Sequence, residues 1–444
     1  MIITYFFPIF AILLIASFRS PRLWFIATVV GSIFQAASPV ILVAGGRYIG
    51  FNSAYIIMWV GVFHLLKSSN SIIGPFTARL PPAFWLFVGF TVYSVIGAII
   101  LPRLFLGEAM IMPPRFGLDV GFVEPLRPSS GNYVQSIYVV FNFVLVTIVY
   151  SMMRVGKLNL SDCAFALKVA AIVISVIGFY QVVGHYFGLA WPYEVVNSNI
   201  GVGQSPDQTV FGVKRMSSTF QEPSMMAMHL LGVVVFLIVS GYSLFWMVVG
   251  LIALLISTSS IAYAGLAAVL LVLVILSIAK GRMGMLASVI GIFFLASVFV
   301  ATDYVVNGGE VLQRVVLSKL DSGSGEARIY SDKVALTNVM DTLGLGVGVG
   351  STRASSFFTT LLATTGLVGV VLLVAAIIFA IRGAFSSGPL QERPILVGLT
   401  FSLMALFLGL ALGIPDFAMP LVWVVLGVVI ALESLSTQVR EKGG

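Results

Sequence analysis

Charged residues are scarce in this sequence: they make up 9% of the 444 residues, whereas hydrophobic residues make up 59%. Soluble domains carry about 25% charged residues, so the composition excludes a soluble protein. The long apolar runs predict membrane-crossing helices, because a helix satisfies its own backbone polar groups in lipid. They do not alternate over ~10 residues, as the strands of a membrane β-barrel would. We therefore predict an all-α polytopic membrane protein.

Residues that hold metals or form disulfides are also rare. The sequence has one cysteine, Cys163, and three histidines without metal-ligand spacing, His64, His185 and His229. This excludes an internal disulfide and a cysteine-based metal site. The sequence contains no P-loop, HExxH or GxSxG motif, and no soluble domain that could hold a nucleotide. We therefore predict no metal, no cofactor and no nucleic-acid partner.

A membrane-crossing helix needs about 20 mostly apolar residues. By this criterion all 444 residues form one integral membrane domain. About thirteen segments qualify: 1–18, 23–43, 48–66, 83–101, 132–153, 163–187, 224–241, 243–258, 261–279, 285–301, 356–381, 395–413 and 418–434. Lys and Arg gather in the short loops of one face, which the positive-inside rule assigns to the cytoplasm. With these loops in the cytoplasm, the C-terminus is cytoplasmic, and an odd number of spans then predicts an external N-terminus.

The opposite face carries three long loops, 102–131, 188–223 and 302–355. They hold most of the acids together with many Lys and Arg residues, so the charges either pair with one another or bind an anionic ligand. Long loops are commonly functional. In the last loop, residues 311–320 form an apolar stripe that predicts an interfacial amphipathic helix. A second helix is expected from about Glu326 to Met340.

The second predicted helix of the last loop carries Arg328 and Asp332 at i, i+4 spacing, at which the two side chains can pair. The run from Gly344 to Gly350 follows it. This run lacks the Gly-Lys-Ser/Thr ending of a P-loop. It predicts instead a compact bend, in which glycines allow close approach of the backbone.

The stretch Lys214–Ser224 places cations, hydroxyls and a carboxylate directly before an apolar helix. Pro223 suits the first helical position, and Glu222 would then be the N-cap beside the positive end of the helix dipole. External arginines suit a lipid-linked phosphate or diphosphate, since Arg matches phosphate oxygens bidentately. The alternative is an ordinary loop, in which Arg215 pairs with an acid such as Asp207 or Glu222.

Three stretches resemble, in order, motifs of the bacterial O-antigen polymerase (Wzy) and O-antigen ligase superfamily. The first is Arg215-Met-Ser-Ser-Thr-Phe-Gln-Glu-Pro-Ser before an apolar helix, and the second is Leu254-Leu-Ile-Ser-Thr-Ser-Ser-Ile-Ala-Tyr-Ala-Gly265. The third begins at Arg328-Ile-Tyr and ends with the glycine run, and Gly366-Leu-Val-Gly369 follows it. The resemblance covers about residues 160–415.

The resemblance implies a GT-C-like, metal-independent glycosyltransferase. It would polymerise polyprenyl-diphosphate-linked oligosaccharide repeat units at the periplasmic face of the bacterial inner membrane, with the active site in the last two long loops. The predicted catalytic residues are Arg215, Glu222 and Arg328. By the resemblance, Arg215 and Arg328 would contact the diphosphate or the glycan, and the Glu222 carboxylate would orient or deprotonate the acceptor hydroxyl. The predicted substrate-binding residues are Lys214, Ser218, Thr219, His229 and Arg353. Membrane lipid, a chain-length regulator and a flippase are compatible partners.

Two rival functions stay open. Ligases of the superfamily carry a His before the span that closes the last loop, where this sequence reads Ser351-Thr-Arg353-Ala-Ser-Ser356, and this favours the polymerase. The hydroxyl-rich segment also lacks the Arg often seen after its Ser, because Ile261 follows Ser260. A transporter or flippase of lipid-linked sugars should show internal repeats and ionisable or broken-helix sites at mid-membrane. The sequence shows no repeat.

Each candidate residue also has an ordinary structural interpretation. Glu222 would be only a structural cap, a carboxylate stabilised at the helix N-terminus, and Arg328 would pair with Asp332. Arg353 would anchor the chain at the membrane interface, and His229 would be a buried core histidine. The positions and contacts of these side chains in the structure distinguish these interpretations from the catalytic ones.

Overall fold

The computed structural model describes residues 1–44, 47–67, 80–114, 122–210, 212–279, 323–386 and 393–443. Within these ranges the chain is mostly helical. The helices are α1 (Phe7–Arg19), α2 (Pro21–Ile33), α3 (Ser53–Leu66), α4 (Pro82–Leu104), α5 (Ser130–Arg154), α6 (Leu160–Phe187), α7 (Tyr193–Val196), α8 (Pro223–Ser240), α9 (Leu244–Ile256), α10 (Ser260–Ala279), α11 (Gly323–Asp341), α12 (Phe357–Phe385), α13 (Arg393–Gly413) and α14 (Pro420–Gly443).

Short antiparallel strands join some of these helices. The strands are β1 (Ile2–Ile3), β2 (Val40–Ala44), β3 (Arg47–Gly50), β4 (Met110–Ile111), β5 (Glu124–Pro125), β6 (Thr209–Val210) and β7 (Val213–Lys214). They form a sheet of order β1-β2-β3 and the two pairs β4-β5 and β6-β7. In the β6-β7 pair Thr209 lies opposite Lys214, so this hairpin leads directly into the stretch that precedes α8.

Six described helices, of 18 to 29 residues, are long and apolar enough to cross a membrane: α4, α5, α6, α8, α12 and α13. Shorter apolar helical segments cover Phe7–Arg19, Pro21–Ile33, Ser53–Leu66, Leu244–Ile256, Ser260–Leu276 and Pro420–Glu433. These helices confirm the prediction of a helical protein with a membrane location. The count of thirteen spans stays a prediction. The predicted span 285–301 and the amphipathic helix at 311–320 lie outside the described residues.

The predicted spans 23–43 and 48–66 are wrong over residues 34–43 and 48–52, which are not helical. Helix α2 ends at Ile33, and α1 and α2 have 13 residues each, or about 20 Å of helix. Pro39 follows, which favours extended backbone in the residue before it. The β-branched residues after Pro39 then enter β2, which pairs with β1 and β3. A continuous apolar run thus contains a short helix and a strand, which hydrophobicity alone does not separate.

Helix α8 is buried over most of its length and packs against α6, α9, α10 and α13. Small residues allow its close approach to α13: Gly409 lies against Met228, and Gly232 lies against Leu406. Such small-residue contacts are typical of helices that pack in membranes. The pairing runs antiparallel, so the start of α8 lies at the same end of the bundle as Gly413, the last residue of α13.

We call this end of the bundle the loop end. Helix α12 also begins there, because it packs beside α13 and joins it through a short connection. Helix α5 begins there too, since the Asn132 Nδ2 donates to the Val349 carbonyl and to the Ser351 Oγ, at 2.8 Å each. The Arg353 backbone N–H donates to the Met112 carbonyl at 3.1 Å. The described parts of the three long loops therefore gather at the loop end.

The glycine run forms the predicted compact bend. Gly344, Gly346, Gly348 and Gly350 have φ between +80° and +88°, a region that favours glycine. The bend lies against a kink in α12 at Gly366, where φ is 61° and ψ is −165°. Backbone groups freed by the kink bond to the bend; for example, the Leu367 N–H donates to the Gly344 carbonyl at 2.8 Å.

Replacing Gly366 by alanine is expected to destabilise the protein by about 3 kcal/mol, because this backbone region is essentially restricted to glycine. A Cβ there would also lie 2.0 Å from the Gly344 oxygen. Thermal unfolding of the detergent-solubilised protein measures the effect. Gly203→Ala is the matched control, since a Cβ at Gly203 has nothing within 4 Å and φ is not left-handed. Equal unfolding temperatures for the two variants would contradict the prediction.

Candidate functional site

The loop before α8 is shaped by Gln181 of α6. The Gln181 Oε1 accepts hydrogen bonds from the backbone N–H groups of Ser217 and Ser218 at 2.9 Å each, and its Nε2 donates to the Ser217 Oγ at 2.9 Å. These bonds hold Ser218 in the left-handed region, at φ 51°. All these groups are buried, so a single amide from a neighbouring helix sets the path of the loop.

Ser218 and Thr219, which are predicted substrate-binding residues, are fully buried. The Ser218 Oγ donates to the Ile174 carbonyl at 2.8 Å, and the Thr219 Oγ1 donates to the Ile33 carbonyl at 2.6 Å. Both hydroxyls thus bind backbone carbonyls of α6 and α2. The structure places these two residues in the framework that positions the loop.

Removing the Gln181 amide is expected to loosen this loop. In Gln181→Leu the two buried N–H groups lose their acceptor, at about 1–3 kcal/mol for each unpaired group. We expect a lower unfolding temperature and faster proteolysis between residues 205 and 222. Gln181→Glu keeps an acceptor for both N–H groups and should lose less stability. A leucine variant as stable as the wild type would show that this bonding does not hold the loop.

Arg215 joins two of the sequence motifs. Its Nε donates to the Thr258 Oγ1 at 3.0 Å, and its Nη2 donates to the Thr258 carbonyl at 3.2 Å. Its Nη1 donates to the Gln208 Oε1 at 2.6 Å. Thr258 lies between α9 and α10 in the hydroxyl-rich segment and has a left-handed φ of 45°. The sequence did not single out Gln208, which lies opposite Arg215 where the β6-β7 pair ends.

The Arg215 guanidinium is half-buried and its hydrogen-bond partners are neutral. Burial lowers the pKa of Arg215, whereas the nearby acidic groups of Glu222 and Tyr263 raise it. Arg stays protonated in proteins even when its pKa is shifted. Among the described residues no acid lies within ion-pair distance of Arg215. The site therefore presents a fixed positive charge, and the predicted alternative of a pair with Asp207 or Glu222 is wrong.

Lys214, in contrast, has an ionic partner. Its Nζ donates to the Asp207 Oδ1 at 2.7 Å and to the Pro206 carbonyl at 2.8 Å, and its side chain is only 2% exposed. Desolvation raises the pKa of Asp207, but the hydrogen bonds from Lys214 and Tyr193 lower it below its ordinary value overall. The structure places Lys214 in this ion pair, so its charge is largely compensated.

Glu222 and Pro223 occupy the predicted positions at the start of α8. Glu222 is the N-cap residue and Pro223 begins the helix, but the Glu222 side chain makes no capping bond to the helix backbone. Its Oε1 instead accepts a 2.5 Å hydrogen bond from the Ser224 Oγ. Its half-buried carboxylate lies near the helix N-terminus, where a negative charge is stabilised.

His229 lies in the second turn of α8 and is fully buried. Its Nδ1 lies 2.9 Å from the Met225 carbonyl, and its ring contacts Phe220, with 4.7 Å between the ring centroids. Its Nε2 has no partner within the described part of the chain. The structure therefore places His229 in the helix core, which agrees with the interpretation of a buried histidine.

Arg328 of α11 lies beside the end of α13. A Cβ at Gly413 would lie 2.7 Å from the Arg328 Nη1. The predicted alternative, an ion pair with Asp332, is wrong: the Asp332 carboxylate accepts from the backbone N–H and the Oγ of Ser355, at 3.1 and 2.7 Å. Within the described ranges the Arg328 side chain has no acid within 4.0 Å. Arg328 and Arg215 thus both lie at the loop end.

Arg353 follows the glycine bend and lines a small cavity of about 50 Å³ at the loop end. Gln135 of α5 and Asp416, from the connection between α13 and α14, line the same cavity. The sequence did not single out Asp416. Its signal was present, since it is the one acid between the apolar helices α13 and α14.

In the described part of the chain, no group of three or more His, Cys, Asp or Glu side chains could hold a metal ion. Comparisons with protein-family models and with curated proteins find no significant match to this chain. Membership in the O-antigen polymerase and ligase superfamily therefore stays an expectation that rests on the motifs.

Proposed function

We propose that this protein is a metal-independent glycosyltransferase of the bacterial inner membrane. It would polymerise polyprenyl-diphosphate-linked oligosaccharide repeat units, and the loop end would face the periplasm. The observation that carries the proposal is the contact between Arg215 and Thr258, which brings together two of the motifs that resemble the superfamily. The half-buried cation at this contact has neutral partners, so it is available to an anionic ligand.

The distribution of charge at the loop end supports a diphosphate as that ligand. Lys214 is paired with Asp207, whereas Arg215, Arg328 and Arg353 have no acid within 4.0 Å among the described residues. Arg donates two parallel hydrogen bonds to phosphate oxygens. Three such cations at one end of an apolar bundle fit a lipid-linked diphosphate, whose polyprenyl tail would remain in the bilayer.

The proposed reaction needs stabilisation of a leaving group. A hydroxyl oxygen of the acceptor sugar forms a bond to the anomeric carbon of the donor, and the bond from that carbon to the diphosphate oxygen breaks. The electron pair of the broken bond leaves with the polyprenyl diphosphate, on which negative charge develops. Arg215 and Arg328 would stabilise this charge without a metal, since preorganised donors are most effective where charge develops.

The kink at Gly366 is the observation that favours a transporter, because transporters use broken helices to bind ions and substrates. In those proteins the freed backbone groups face the ligand. Here they are bonded to the glycine bend: the N–H groups of Val347 and Gly348 donate to the carbonyls of Ala363 and Thr364 at 2.9 Å each. The kink therefore serves packing, and the glycosyltransferase remains the better supported function.

Purified protein in lipid nanodiscs, supplied with a lipid-linked repeat unit from its own bacterium, tests the proposal. Polymerisation predicts a ladder of products that differ by one repeat unit, together with release of free polyprenyl diphosphate. A glycan moved onto lipid A core would indicate a ligase instead. If the protein instead moves intact repeat units across the membrane of proteoliposomes and forms no product ladder, the protein is a transporter and the proposal is wrong.

A further inference from the structure

The cavity between Arg353, Gln135 and Asp416 brings together three polar groups from three separate elements. The Gln135 Oε1 is buried and has no partner in the described part of the chain. One Asp416 oxygen, Oδ1, accepts from the Ala418 backbone N–H at 2.8 Å, which leaves Oδ2 available. The Arg353 guanidinium has no acid within 4.0 Å among the described residues. These three polar groups therefore do not satisfy one another's hydrogen-bonding capacity.

Their chemistry is complementary to a hydroxyl group. A hydroxyl can donate to the carboxylate or to the amide oxygen, while its own oxygen accepts from the guanidinium. The opposite charges of Asp416 and Arg353 disfavour a simple anion or a simple cation. A cavity of about 50 Å³ exceeds the ~10–15 Å³ needed to hold one water molecule, so it has room for a hydroxyl group. It therefore admits the hydroxyl-bearing edge of a sugar but not the whole ring.

The position of the cavity links it to the proposed diphosphate site. Asp416 follows Gly413 by three residues, and the Arg328 guanidinium lies against Gly413. Arg353 lines the cavity itself. A hydroxyl held beside Asp416 would thus lie at the same end of the bundle, close to the arginines that would hold the donor.

We propose that this cavity binds the acceptor hydroxyl and that Asp416 is the catalytic base, an inference that rests on the proposed function. As the acceptor oxygen bonds to the anomeric carbon, its proton passes to the Asp416 Oδ2. The diphosphate leaves with the electron pair of the broken bond, and the protonated carboxyl later returns its proton to solvent. Glu222, the carboxylate predicted from the sequence for this role, lies at the start of α8, where it accepts the Ser224 hydroxyl, and it does not line this cavity.

Asp416→Asn tests the role of the carboxylate. Asparagine keeps an Oδ1 for the Ala418 N–H, so the turn before α14 should survive, but its amide cannot accept the proton. Transfer should fall at least about 100-fold, the lower range for loss of a general base. Binding of the polyprenyl diphosphate carrier should change less than about twofold, well under one factor of ten. Asp416→Glu should restore part of the activity.

The exposed Asp341 at the end of α11 supplies the matched control. Asp341→Asn should transfer glycan as fast as the wild type. Asp416→Asn with near wild-type transfer would overturn the inference while leaving the proposed function intact. Loss of transfer in Asp416→Asn together with loss of carrier binding would also overturn it, because the carboxylate would then act through the donor site.

A binding measurement keeps the inference testable if the wild type does not polymerise. Saturation-transfer NMR with methyl glycosides of glucose, galactose, mannose and N-acetylglucosamine probes the cavity directly. At least one glycoside should bind the wild type and Asp341→Asn, and should bind Asp416→Asn and Gln135→Leu at least about tenfold more weakly, a difference of about 1.4 kcal/mol. This result without polymerisation would refute the proposed function alone. Absence of binding, or equal binding by all variants, would overturn the hydroxyl site.

Discussion

Arg215→Ala is expected to reduce polymerisation by about 10²–10³-fold, the usual cost of losing one donor to charge that develops in the transition state. The variant should also unfold at a lower temperature. Arg215 bonds to Thr258 and Gln208, so its loss separates the loop before α8 from the connection between α9 and α10. The measurements are the rate of product-ladder formation in nanodiscs and the thermal unfolding of the same samples.

A second substitution at the same position separates the charge of Arg215 from its bonding. Arg215→Lys keeps the charge but cannot span Thr258 and Gln208, since an ammonium lacks the planar fork of a guanidinium. It should recover stability only in part and activity hardly at all. Arg127→Ala is the control, because Arg127 is 61% exposed and pairs with Glu124 at 3.1 Å. Full activity of both Arg215 variants would remove Arg215 from the proposed diphosphate site.

Local rules predicted the start of α8 well. A proline at the first helical position and an N-cap residue before it depend on a few neighbouring residues, and the structure has both as predicted. The glycine bend was predictable for the same reason, because only glycine adopts its backbone angles freely. The bonding of Glu222 was not predictable, since its partner depends on the rotamer of Ser224.

The meeting of Arg215 with Thr258 could not be derived from local pattern. The two residues lie 43 positions apart, and their contact depends on how α8, α9 and α10 pack. The i, i+4 spacing of Arg328 and Asp332 suggested a pair, but tertiary contacts gave Asp332 a different partner in Ser355. Such surface pairs contribute only about 0.2–0.5 kcal/mol, so a buried serine displaces them easily.

Asp416 could not be predicted as a site residue from a cluster of charged residues in the sequence. It is isolated in sequence, and its neighbours in the cavity come from α5 and from the glycine bend. Most charged residues of the sequence lie in the long loops, whereas this carboxylate lies in a short connection between two apolar helices. A single acid at the end of such helices is also a candidate site residue, because a charge in a membrane is costly and the ionisable residues kept there commonly have a function.

Arg328→Ala should reduce polymerisation by about 10²–10³-fold while leaving stability within about 0.5 kcal/mol of the wild type. The two arginines differ because Arg215 holds two loop segments together, whereas Arg328 has no acid in ion-pair distance within the described ranges. Its guanidinium lies against the Gly413 backbone. Ladder formation and thermal unfolding, measured on the same nanodisc samples, separate activity from folding.

The exposed Lys333 lies on the same helix and supplies the matched control. Lys333→Ala removes a cation from α11 without reaching the end of α13, and it should polymerise at the wild-type rate. Excess free polyprenyl diphosphate should inhibit the wild type and should inhibit any residual activity of Arg328→Ala much less, since the carrier would lose one of its ligands. If Arg328→Ala has normal activity, or is inhibited as strongly as the wild type, Arg328 does not bind the diphosphate, and Arg215 would bind it without a contribution from α11. Arg328 would then have no role in the proposed reaction.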